Sequence, residues 1–140
     1  EADVVQQLCD SGVVVIAAGG GGIPVVSNND RIAGVDAVVD KDLASAVLAI
    51  DINVSMFLIL TDVDQVSLDL GTPGERPLLT MTVEEAQRHL NDGQFPPGTM
   101  GPKVEGAIRF VRRTGNRAII TSVQRVASAI AGLAGTEITP

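Results

Sequence analysis

Three runs of six residues constrain the fold of this chain more than anything else in it: VVVIAA (Val13 to Ala18), MFLILT (Met56 to Thr61) and RAIITS (Arg117 to Ser122). Each holds a continuous apolar stretch without alternation of polar and apolar residues, the pattern of a strand buried on both faces. Between the runs lie segments with helical spacing. One extends from Lys41 to about Ile52, with Leu43, Ala44, Val47 and Leu48 on one stripe, and another follows Pro102, with Val104, Ala107, Ile108 and Val111. Strands alternating with helices predict an α/β fold, with a mostly parallel sheet and helices on both faces in a three-layer sandwich. At 140 residues and 45% hydrophobic content, one domain with a real core is expected.

Local signals set the limits of the elements. Glu1 to Asp10 reads as the last turns of a helix, ended by Ser11 and Gly12. Asp40 is placed to cap the helix that follows it. Thr82 to Glu85 reads T-V-E-E, a capping box that opens a helix running to about Leu90. Gly71, Pro73 and Gly74 lie between two short strand-like runs and predict a hairpin or an excursion of the chain. Pro102 fits the first position of the next helix and Gly115 its C-terminal cap. Val126, Ala127 and Ile130 mark a last helix, and GTEIT a closing strand.

Charge and composition exclude several function classes. The net charge is −7, which argues against a nucleic-acid partner, because neutralising phosphates along a strand needs a basic face. A small phosphorylated ligand needs only a few local donors and stays open. Aromatic residues make up 2% of the chain, too few for base-stacking platforms or membrane-interface belts. The longest apolar stretch is broken by Gly19, Gly20, Gly21, Gly22 and Pro24, so no membrane span is expected. The single Cys9 cannot form an internal disulfide, which suits a cytoplasmic location.

Ligands of parallel sheets bind beyond the carboxyl ends of the strands, and four stretches are candidates for that position. Gly19 to Gly22 follow the first run directly; such a loop is either a flexible turn or a cradle of N–H groups for an oxyanion. Asp40-Lys41-Asp42 opens a helix; the carboxylates suit the helix dipole, and Lys41 is either a solvated ion pair or a ligand contact. Thr61-Asp62-Val63-Asp64 follows the second run. Gly98 to Lys103 puts a cation in the first turn of a helix, where it opposes the dipole by a few tenths to about 1 kcal/mol unless an anion binds there. Neither a Walker A loop nor a GxGxxG fingerprint ahead of a helix is present. His89 reads as a surface histidine, and no cluster of metal-ligating residues stands out.

Taken in order, VVIAAGGGGIPVV, GVDAVVDKDLASAVLA, ILTDVDQV, GQFPPGTMGPKVEGAIRFV and RAIITS followed by GTEI resemble the carboxyl-terminal half of the carbamate kinases, in the amino acid kinase family. The resemblance covers nearly the whole chain. It implies reversible phosphoryl transfer between ATP and carbamate, giving carbamoyl phosphate and ADP, with Mg2+ carried by the nucleotide, and a place in arginine metabolism. It further implies that Lys103 neutralises the transferring group, that Lys41 contacts nucleotide phosphates and that Asp42 orients the two lysines. Thr61, Asp62, Val63 and Met100 would lie beside the nucleotide, and Gly19 to Gly22 would line the active site.

Members of that family begin with a further phosphate loop, another active-site lysine and acceptor contacts, none of which is matched here. The 140 residues are therefore expected to form a nucleotide-binding lobe, inactive alone and prone to homo-oligomerise. Two other readings remain: a nucleotide-binding or assembly module without catalysis, and a kinase of another small carboxylate.

Overall fold

A computed structural model of the chain describes residues 1–28 and 31–140. The elements follow in the order α1 (Ala2–Asp10), β1 (Val25–Asn28), β2 (Arg31–Gly34), α2 (Lys41–Asp51), β3 (Met56–Thr61), β4 (Val66–Leu68), β5 (Arg76–Leu78), β6 (Thr80–Thr82), α3 (Val83–Asn91), α4 (Met100–Thr114), β7 (Arg117–Ser122), α5 (Val126–Ile130) and β8 (Thr136–Thr139). A turn of 3-10 helix, Val123–Arg125, joins β7 to α5.

The fold is α/β, as the sequence predicts, but its sheet is mixed. Four strands lie in the order β3-β7-β8-β6. The β3–β7 and β6–β8 pairs are parallel, whereas β8 runs antiparallel to β7. Two hairpins stand apart from it: β1–β2, and β4–β5 around the predicted Gly71–Gly74 turn.

The core lies where α4 meets the sheet. Val104, Ala107, Ile108 and Val111, the predicted stripe, are buried together with Ile59, Ala118, Ile120 and Ile138. Phe110 joins them, its ring 5.4 Å from that of Phe57. Ile119 is buried but outside this cluster; strand alternation turns it to the other face, where α5 packs on β7. RAIITS is thus covered on both sides, as expected. MFLILT is not: β3 is an edge strand in which only Ile59 is fully buried and Leu60 is exposed.

VVVIAA departs further from expectation. Residues 13–18 form no strand, and both Val14 and Ile16 are almost fully exposed. No described residue before Ala46 is buried. A β-branched run supplies propensity, but a strand also needs a neighbour to bond with, and the described sheet offers none to this segment.

Local signals served better. The Asp40 side chain accepts hydrogen bonds from the N–H groups of Asp42 and Leu43, at 2.8 and 3.1 Å. The Thr82–Glu85 capping box is complete in both directions. Gly115 ends α4 in the left-handed conformation with φ 72°. Pro102 is the third residue of α4 and not the first, because the helix begins at Met100, where the Gly101 N–H donates to the Pro96 carbonyl. Where α4 crosses α2, Gly106 meets the main chain of Asp42; a Cβ there would lie 3.1 Å from the Asp42 carbonyl oxygen and 3.5 Å from Ala46 Cβ. Among the described residues, no helix is long and apolar enough to cross a membrane.

Candidate functional site

Close packing of α2 on α4 brings two predicted stretches together. Lys103, in the second turn of α4, donates to Asp42 in the first turn of α2 at 2.8 Å, with side chains only 12% and 13% exposed. Lys41 approaches the same Asp42 oxygen at 3.8 Å, its side chain 60% exposed. One carboxylate thus faces two ammonium groups from different helices. The arrangement changes the meaning of the lysine near the start of α4. The first turn of that helix has no acidic residue, and Asp42 supplies the compensating charge from outside. A pair this shielded is directional and poorly screened, and losing one partner leaves an almost buried charge.

Beside this group lies a cavity of about 720 Å3, within the range of small-ligand sites. Its lining has two chemically different parts. Lys41 and Lys103 stand with Gly98, Thr99 and Met100 at the start of α4. Elsewhere the wall is formed by Thr61 to Gln65 from the end of β3, by Ser67, Leu70, Glu75 and Pro77 from the β4–β5 hairpin, and by Phe95 and Pro96. The cavity sits beyond the carboxyl end of β3, the place predicted for a ligand of a sheet of this kind. Among the described residues, no group of three or more His, Cys, Asp or Glu side chains is arranged to hold a metal ion. His89 is half-buried, edge-on to Phe95 with ring centroids 6.5 Å apart.

Most of the candidate residues converge. Lys41, Thr61, Asp62, Val63, Met100 and Lys103 all line the cavity, and Asp42 holds the two lysines at its rim. The glycine loop does not line it. Gly21 instead packs against the backbone ahead of α2: with φ 129°, a Cβ there would collide with the Val39 carbonyl oxygen and lie 3.2 Å from the Lys41 amide nitrogen. Gly21 therefore stands against the chain just ahead of α2, and no residue of the tetrad is among those that line the cavity.

Sequence reasoning did not single out Gln65, Ser67, Glu75, Phe95 or the anchoring role of Asp64. Ser122 donates to Asp64 at 2.6 Å and Arg125 at 3.1 Å. These two contacts hold the Asp64 carboxyl below the usual aspartate value, the Ser122 hydroxyl contributing most. An acidic residue one position past TDV was the only trace of this in the sequence.

The model of the amino acid kinase family matches residues 1–122. The chain belongs to the amino acid kinase family. Within it the likeness is to carbamate kinases: the chain is 46% identical to that of Pyrococcus horikoshii over its whole length, and 47% identical to that of Halobacterium salinarum. It covers 45% and 46% of those two proteins, so it spans about half the length of the relatives it matches. The structure of carbamate kinase from Giardia lamblia bound to AMP-PNP superposes with a TM-score of 0.93 at 43% identity, over 99% of this chain and 49% of that one. N-acetylglutamate synthase from Neisseria gonorrhoeae, at 18% identity and a TM-score of 0.66, shares the fold alone.

Proposed function

We propose that these residues form the nucleotide-binding lobe of a phosphotransferase that interconverts carbamate and ATP with carbamoyl phosphate and ADP. One observation carries the reading: Lys103 and Lys41 converge on Asp42 at the rim of a cavity that both lysines line. Phosphoryl transfer asks a protein for positioning and for cations around the transferring oxygens, not for covalent chemistry. Lys103, fixed by Asp42, is the cation for the transferring group. The more exposed Lys41 meets the nucleotide phosphates, which bring Mg2+ with them. Thr61, Asp62, Val63 and Met100 face the nucleoside. Gly19 to Gly22, packed through Gly21 against the start of α2, belong on this reading to the side from which the acceptor approaches. The Giardia relative bound to AMP-PNP and the carbamate kinase relatives support it.

Calorimetric titration with ADP tests the proposal. Lys103→Gln keeps a donor for Asp42 and removes the charge. Its expected result is at least tenfold weaker ADP binding, about 1.4 kcal/mol, together with a lowered melting temperature, because Asp42 loses its shielded counter-charge. Equal affinity in both proteins would overturn the assignment of Lys103. On the same reading the 140 residues alone, about half the length of the relatives, bind ADP without transferring phosphate to it from carbamoyl phosphate. Turnover within tenfold of a complete carbamate kinase would show that an acceptor site is built here as well.

A further inference from the structure

The strip that follows β3 is tied down on one side only. Residues Thr61 to Gln65 line the cavity, yet Asp62 and Val63 are exposed, and the Thr61 hydroxyl reaches no further than Asp62, at 3.0 Å. What fixes the strip comes next in the chain. Asp64 accepts from the Ser122 hydroxyl through one carboxylate oxygen and from Arg125 Nε through the other, and its main-chain carbonyl accepts from the Thr121 hydroxyl at 3.2 Å. Thr121 and Ser122 are buried at the carboxyl end of β7, in register with Leu60 and Thr61 of β3. Gln65 then bonds the carbonyls of Leu78 and Gly135, and the Val66 N–H donates to Thr136 Oγ1 at 2.8 Å. Both carboxylate oxygens of Asp64 are thus committed to the scaffold, while the half-exposed residue still forms part of the cavity lining.

We infer that Asp64 is a positioning residue for the nucleotide: by clamping the strip to the end of β7, it sets where Asp62 and Val63 stand in the cavity wall. The inference rests on the nucleotide reading of that cavity. Three bonds from one residue converge on two neighbouring hydroxyls and a guanidinium, all from β7 and the 3-10 turn after it. Releasing them frees the wall while leaving Lys103, Lys41 and Asp42 on their own helices. The effect should therefore appear in nucleotide affinity and follow the clamp, not the charge of the residue.

ADP titrations of the 140-residue chain test this with three variants. Asp64→Ala should bind ADP about tenfold more weakly. Asp64→Asn, whose amide oxygen still accepts from Ser122, should recover affinity to within about threefold of the original. Ser122→Ala should reproduce most of the Asp64→Ala loss, and the double variant should lose no more than Asp64→Ala alone, because both changes open one clamp. Unchanged affinity in Asp64→Ala, or additive losses with Ser122→Ala, would overturn the inference while leaving the nucleotide reading in place. Failure of the unaltered chain to bind ADP would overturn both.

Discussion

VVVIAA and RAIITS are nearly the same kind of sequence, and they end in opposite surroundings. In RAIITS, Ile119 and Ile120 are 1% and 0% exposed; in VVVIAA, Val14 and Ile16 are 91% and 98% exposed. The same division runs through the molecule. Among the described residues, every fully buried side chain lies within residues 46–140, whereas those before them carry a helix and a hairpin with none. Apolar character supplies the tendency to be buried, but only neighbouring strands and helices turn it into stability.

The largest test of this contrast is a pair of truncations. Phe110→Ala removes a fully buried ring and should cost about 3–5 kcal/mol in denaturant unfolding, while Ile16→Ala should stay within about 0.5 kcal/mol. A cost above about 1 kcal/mol for Ile16→Ala would mean that this segment is packed after all.

Next in size is self-association. Exposed Val13, Val14, Ile16, Ile23 and Val38 concentrate apolar surface in the first forty residues, so sedimentation should show concentration-dependent association. Replacing Val14 and Ile16 by lysine should weaken it by about tenfold, or 1.4 kcal/mol, whereas Leu133→Lys, far along the chain, should leave it unchanged. Equal effects from both would remove the distinction between the regions.

A smaller effect follows from Gly21, which holds the first region to the second. Gly21→Ala should speed proteolysis of the first forty residues severalfold, with the main unfolding transition displaced by about 1 kcal/mol or less. The smallest belongs to Glu85, whose carboxyl lies below its ordinary value, chiefly because the Thr82 N–H donates to it. Its folded value is lower than its unfolded one, so its stabilisation is complete above about pH 4.5 and fades as acid protonates the folded form. The difference between the original and Glu85→Gln should be visible at neutral pH and vanish in acid, without touching residues 1–39.

What the sequence made legible was mostly local. Asp40, Thr82, Glu85 and Gly115 act within four residues of themselves, so their caps could be read directly. The fate of VVVIAA and the reversed direction of β8 depend on which strands lie alongside, and a single run does not encode its neighbours. The candidate site divides the same way. Lys41, Asp42, Thr61, Asp62, Val63, Met100 and Lys103 stand in motifs at element ends, whereas Asp64 gains its role from Ser122, 58 residues away. Phe95 and Glu75 reach the cavity only because a loop and a hairpin fold over it.

The absent methyl group at Gly106 has a mechanical consequence. An alanine there would favour the helix by about 1 kcal/mol in intrinsic propensity, yet its Cβ, 3.1 Å from the Asp42 carbonyl, would press α2 outward by a few tenths of an ångström. Asp42 and Lys103 are 61 residues apart in the chain and meet at 2.8 Å. Their alignment therefore has a tolerance finer than one carbon atom, set by a hydrogen on a helix and not by either charged side chain.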